Sequence, residues 1–256
     1  MIEFAVAEYA RKVLSRQFTV DADDRAMLDV LLATADYAER SSENMRPPAD
    51  RKRHACKAGC GHCCHMRVVA TIPEVAALVH FMVTNFPREA ITAIRQRVIE
   101  TSRHTRGMSD EQWGLGHHAC PLLVDDKCSV YVARPLDCRA YNSTDVRLCR
   151  VAAQNYLEWD VPTDNSWTLA LKSAQAGFLQ AIAGIGQRPR LVELTAALRV
   201  IFSEARAIER WLAGENPFAD AELADSDPEQ RAFLPWVPSD ELREFAETYN
   251  SIPDTD

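Results

Sequence analysis

The chain has 256 residues, 47% of them hydrophobic, and a formal net charge of −8. A chain of this size buries an ample core without covalent staples, and an acidic balance argues against a general nucleic-acid binder. No run of about 18 apolar residues occurs, so no transmembrane helix and no membrane role are expected. Acids at Glu3 and Glu8, with no basic segment ahead of an apolar stretch, leave no legible signal peptide. A cytoplasmic location is the expectation.

Taken in chain order, apolar periodicity predicts amphipathic helices over 2–18 and 22–45, the second closing before Pro47-Pro48. Positive charge then collects over 46–67, where Arg46, Arg51, Lys52, Arg53, Lys57 and Arg67 face Asp50 alone. Inside that stretch lies Cys56-Lys-Ala-Gly-Cys60-Gly-His-Cys63-Cys64. Thr71-Ile-Pro-Glu74 is a capping box with proline in the first turn, followed by Val75, Leu78, Val79 and Met82 on one face. Pro87 starts a further helix that runs to about Arg106. The glycines at 107, 114 and 116 predict a loop from Gly107 to Ala119, carrying His117-His118.

Pro121-Leu-Leu-Val124 and Cys128-Ser-Val-Tyr131 flank a turn at Asp125-Asp126-Lys127 and predict one short hairpin. Helical periodicity returns over about 145–158, 164–183 and 189–213. Residues 215–256 hold twelve acids against Arg231 and Arg243, yet include Phe218, Phe233, Trp236 and Phe245. A tail with so many aromatics is expected to pack back on the helices, with docking into a partner as the other reading. Strand and helix do not alternate, which argues against a doubly wound sheet. The expected fold is mainly α: a helical domain around a small irregular cysteine-rich metal core with one short β-hairpin. Its expected parts are N-terminal helices (1–46), a cysteine-cluster domain (47–150), C-terminal helices (151–214) and the tail (215–256).

All eight cysteines fall between 56 and 149: Cys56, Cys60, Cys63, Cys64, Cys120, Cys128, Cys138 and Cys149. Core cysteines scatter, whereas one inorganic centre needs soft thiolates close together. A disulfide framework belongs to oxidising compartments and to small domains short of core. Cys60-Gly-His-Cys63 is a two-residue knuckle whose sulfurs can reach one ion, with Gly61 relieving a tight backbone. Cys56 stands one turn away if the segment is helical. Adjacent side chains diverge, so Cys64 serves a second metal, a substrate, or the same site from a strained turn. Cys120 and Cys128 flank the hairpin, and Cys138 follows the turn at Pro135. Cys149 sits in a helix and reads equally as ligand or core.

His62 and His65 stand where they can hydrogen-bond to ligating sulfur, and Arg134 and Arg139 where they can offset cluster charge or hold a substrate carboxylate. The alternative for the two arginines is ion pairing with Asp137 or Asp125. His54 and His80 read as solvent and helix-face residues. The three-thiolate spacing Cys56, Cys60, Cys63 resembles locally the one with which radical S-adenosylmethionine enzymes leave one iron open, although no repeated βα units accompany it here. Only one knuckle is present, whereas structural zinc takes two, so an iron–sulfur cluster (4Fe-4S) is preferred over zinc.

Cys56-x3-Cys60-x2-Cys63-Cys64, Cys120-Pro121-Leu-Leu, Cys128-Ser-Val-Tyr131 and Arg134-Pro135-Leu-Asp-Cys138-Arg139 together resemble the "putative zinc- or iron-chelating domain" family of YkgJ-type cysteine-cluster proteins, over about residues 54–150. The resemblance implies metal binding. Through the related flagellin lysine N-methylases it also implies an iron–sulfur cluster, S-adenosylmethionine and a peptide or protein substrate. The chain departs from those methylases at His65-Met66, where they carry a Gly-Trp pair, and it is shorter. Two function classes follow: an enzyme or redox component with an open-sided cluster, or an interaction module with a structural metal.

Overall fold

The computed structural model describes residues 2–19, 24–44, 54–116, 118–153 and 161–224. The basic residues at 46–53, His117, the end of the expected 145–158 helix and the tail beyond 224 lie outside them. Ten helices and two small antiparallel strand pairs are found among the described residues, so the fold is mainly α. No helix among them is long and apolar enough to cross a membrane.

Two apolar cores share the long helices. Helix α1 (Ile2–Thr19), α2 (Asp24–Asn44) and α8 (Asn165–Gly184) enclose the first, around Val6, Leu14, Leu31, Leu171 and Phe178. Helices α1 and α8 meet through small residues. A methyl group on Gly177 would run into the Ala7 carbonyl and come within 2.8 Å of Ala10 Cβ. Tyr9 and Tyr37 stack at 4.0 Å and tie α1 to α2.

The second core gathers α3 (Ile72–Asn85), α4 (Arg88–Thr105), α9 (Leu194–Ser203) and α10 (Ala207–Leu212) around Leu78, Met82, Val98, Leu198 and Phe218. Strand β1 (Val69–Ala70) pairs there with β4 (Val192–Glu193), Val69 opposite Glu193. Two-residue strands that meet across more than 120 positions leave no periodic trace in sequence, and this pair was not anticipated.

Three further expectations are corrected. The stretch 189–213 is not one helix. Arg206 adopts a left-handed φ of 55°, which breaks the run after α9 and turns Ala207 and Trp211 into the core. The expected loop after Gly107 contains α5 (Asp110–Leu115), started by Ser109, whose hydroxyl accepts from Gln112 N while Gln112 Oε1 accepts from Ser109 N. His54 is not a solvent residue. Its Nε2 lies 3.3 Å from Asp164 Oδ2 and its ring meets Trp167 edge-on at 4.5 Å.

A buried polar assembly joins the two cores. Glu74, fully buried at the start of α3, accepts from Thr71 N (2.7 Å) and Thr71 Oγ1 (2.8 Å), and from Leu136 N (2.8 Å) at the head of α6 (Leu136–Ala140). Burial raises its pKa, while these hydrogen bonds oppose the rise. Next to it, Asp137 accepts from Val69 N (3.0 Å) and Lys172 Nζ (2.6 Å). Gln175 on α8 donates to Val69 O and Glu74 Oε2, each at 3.4 Å. Strand β1, α3, α6 and α8 are thus fixed to one another within one turn of Cys138.

The α1–α8 contact supplies a direct test. Gly177→Ala should cost about 1–3 kcal/mol, the usual range for overpacking a close helix pair. Urea unfolding of the variant against the parent measures it; an unchanged midpoint would show that α1 does not sit this close.

Candidate metal centre

The first cysteine segment is built of successive turns. Cys60 N donates to Lys57 O (3.0 Å), Cys64 N to Gly61 O (3.0 Å) and Met66 N to Cys63 O (3.2 Å). The segment is not helical, so the condition for Cys56 and Cys60 to stand one helical turn apart is not met; Gly59, at φ 87°, reverses the chain between them. Gly61 has a different role from the one its sequence position suggests. Its φ is not left-handed, and a Cβ there would strike the Asp126 carbonyl and approach Leu123 Cδ1 to 3.1 Å. Glycine is required because the hairpin tip lies on the knuckle.

That hairpin, β2 (Leu123–Val124) and β3 (Lys127–Cys128), turns through Asp125 and Asp126 alone, both left-handed at φ 48° and 58°. Lys127 belongs to the strand rather than to the turn. Positive φ at both central positions is the twist a two-residue hairpin needs, and aspartate tolerates it. The register sets Cys128 opposite Leu123, and Leu123 N donates to Cys120 O (3.0 Å). Cys120 N in turn donates to Cys64 O (2.7 Å). Cys138 lies in α6. Cys120, Cys128 and Cys138 all pack against the second apolar core.

Cys149 comes to the same place from the other side. It sits in α7 (Val146–Ala152), whose start is capped by the Asp145 carboxylate accepting from Arg147 N (2.8 Å). Ser143 O accepts from Ala55 N (2.7 Å), the Ser143 hydroxyl hydrogen-bonds to the Cys149 thiol, and the Ser143 backbone meets the Cys56 thiol. Cys149 belongs to neither apolar core. Cys149 lies within electrostatic reach of Cys60 and Cys63. Ser143, which joins residues 55–56 to Cys149, was not anticipated; a serine in a loop carries no sequence signal of a long-range tether.

All eight cysteines are free, and Cys63 is the exposed one. The Cys64 thiol hydrogen-bonds to both Cys63 and Cys128. A donated proton stabilises the acceptors' anionic forms, and Arg134 adds positive charge, so Cys63 and Cys128 each fall to about 7 while Cys64 rises. Burial pushes Cys120 up to about 12, and Cys138 well above the ordinary thiol value. Burial also raises Cys56 and Cys149. The donor set is soft and has protons to release on binding metal. Among the described residues no group of three or more His, Cys, Asp or Glu side chains stands ready to hold a metal ion, so ligation requires thiol rotation on this backbone.

The two arginines separate. Arg134 lies over the Tyr131 ring, 3.7 Å from its centroid, with its charge toward Cys63 and Cys128. Arg139 instead bonds to Glu39 on α2 (3.1 Å) and to the carbonyls of Val132 and Arg134. It ties α6, which carries Cys138, to α2 and to residues 132–134. Asp137 and Asp125 pair with neither: Asp137 is taken by Lys172. His62 and His65 are half-buried, and His65 Nδ1 is a buried polar atom with no partner. An open cleft of about 360 Å³ between α4 and the hairpin reaches Cys120 and is lined by Arg97, Glu100, Asp125 and Asp126.

The thiol chemistry is testable in the reduced, metal-free chain. Iodoacetamide should label Cys63 first, at a rate that climbs as pH passes about 7, because thiolate is the nucleophile. In Cys64→Ala the midpoint should move up toward the ordinary value of 9.0. Peptide mass spectrometry across pH reads both; equal labelling of Cys63 and Cys149 at neutral pH would contradict this proton arrangement.

Comparison with known proteins agrees with the ligand chemistry. Residues 55–163 match the family model CxxCxxCC, described as "Putative zinc- or iron-chelating domain". No curated protein and no solved structure matches the chain. Residues 55–163, which carry all eight free thiols, are thus similar to the CxxCxxCC family over that span.

Proposed function

We propose that the chain holds an iron–sulfur cluster on its cysteine thiolates. One observation carries the reading: backbone hydrogen bonds join segments distant in sequence that carry free thiols, Cys120 N to Cys64 O and Ala55 N to Ser143 O. Soft thiolates suit iron–sulfur and zinc alike. The single knuckle and the irregular spacings from Cys120 to Cys149 favour iron–sulfur. Arg134 supplies charge toward thiolates, and the unpartnered His65 Nδ1 beside Cys64 supplies a hydrogen-bonding group of the kind that tunes cluster sulfur. Bound there, a cluster supplies one-electron chemistry.

The reading extends to a redox or S-adenosylmethionine-dependent component acting on a peptide or protein in the cytoplasm. The resemblance to flagellin lysine N-methylases supports it, as do the exposed Cys63 and the open cleft at Cys120. The cleft would receive the substrate on the side of Arg97 and Glu100. A second reading has its own support. Cys120, Cys128 and Cys138 pack against the apolar core, as the ligands of a closed structural zinc site do, in a module that binds partners through its helices.

Anaerobic purification with metal and sulfide analysis separates the two. Brown protein containing iron and acid-labile sulfide is expected; colourless protein with stoichiometric zinc would transfer the conclusion to the structural module. Electron paramagnetic resonance of the reduced protein should change on adding S-adenosylmethionine. An unchanged spectrum would remove that component of the reading.

A further inference from the structure

We propose that the cysteines serve two metal centres of four thiolates each: an inner one on Cys64, Cys120, Cys128 and Cys138, and an outer one on Cys56, Cys60, Cys63 and Cys149. The inference rests on the reading that these cysteines hold metal. It goes beyond that reading in number and in assignment.

Three observations divide the set. The first is packing. Cys120, Cys128 and Cys138 lie against the second apolar core, and none of Cys56, Cys60, Cys63, Cys64 and Cys149 does, so packing marks three inner thiols and the tethers assign Cys64. The second is backbone tethering. The inner group is fastened by Cys120 N to Cys64 O at 2.7 Å and by the hairpin that sets Cys128 across from Leu123. The outer group is fastened through Ser143, which accepts from Ala55 N at 2.7 Å and shares its hydroxyl with the Asp145 turn below Cys149. The two tethers meet at the knuckle, where Cys64 N donates to Gly61 O at 3.0 Å. The third is exposure: Cys63 opens to solvent while its neighbour Cys64 is half-buried and contacts Cys128.

The peptide between Cys63 and Cys64 is then the boundary. Two adjacent residues can ligate one ion only from a strained turn, so a vicinal pair is better suited to two ions. Stoichiometry agrees. A tetrahedral zinc site takes four thiolates, and so does a four-iron cluster. Eight cysteines fill two such centres with none left over, whereas a single centre of either kind strands four thiols. The Cys63–Cys64 hydrogen bond belongs to the protonated pair; it is lost when both thiols give up their protons to bind metal. The inner centre, backed by the apolar core, is the closed one. The outer centre faces solvent at Cys63 and is the one a substrate or an electron partner can approach.

Metal content of the full-length, anaerobically purified chain tests this. The parent should carry two centres, iron with sulfide or zinc. Cys149→Ser and Cys138→Ser should each retain half the parent's metal, and the double variant none. Far-UV circular dichroism checks that each variant keeps its fold. Because Cys138 packs on the core, Cys56→Ser gives a second outer variant, so that the outer pair decides the matter even if inner variants unfold. Loss of all metal, or of none, in a folded Cys149→Ser or Cys56→Ser chain overturns the division. A parent with one centre also overturns it while leaving metal binding intact, and a parent with no metal overturns the underlying reading itself.

Discussion

Glu74 is the constraint on which the arrangement depends. A fully buried carboxylate is costly unless its oxygens are filled, and here they are filled by Thr71, Leu136 and Gln175 from three elements. Asp137 repeats the device one residue before Cys138, between Val69 N and Lys172. Each hydrogen bond nets little, yet leaving any of these buried donors unpaired costs about 1–3 kcal/mol. The pair therefore sets where α6 lies relative to β1, α3 and α8. Cys138 has its position because those two acids have theirs.

The cysteine region itself contains little regular structure. It is held by turns, by one two-residue hairpin and by bonds to the helical frame. That suits a site whose ligands come from separate segments, since loops can aim side chains that helices would fan apart. Cys120, Cys128 and Cys138 are backed by the apolar core, whereas Cys63 is exposed. Arg139 ties α6 to α2 and Arg134 contributes charge, although the two are near neighbours in sequence. Their difference follows from where the segment 131–139 runs, with Glu39 beside one guanidinium and thiols near the other.

Much of the helical frame was legible. Helices α1 to α4 and α8 appeared at their positions within a few residues, because long apolar stripes and the Thr71–Glu74 box are local signals. The hairpin was legible from Asp125-Asp126. The short helix α5 was hidden by its glycines, although Ser109 and Gln112 form the box that begins it. The β1–β4 pair and the break at Arg206 were not legible, since both answer to packing against residues far along the chain.

Sequence alone determined the chemistry: eight cysteines confined to 94 residues, the knuckle at 60–63, and a helical composition with no need of disulfides. Ligand type is a property of the residues, so it survives without coordinates. Tertiary structure decided the rest. It brought Cys149 to Cys56 through Ser143, sent Arg139 to Glu39, and gave Gly61 its purpose under the Asp126 carbonyl. Those facts depend on which distant backbone approaches which, and approach is fixed by burial and by filled hydrogen bonds across the whole fold, of which no single segment carries a record.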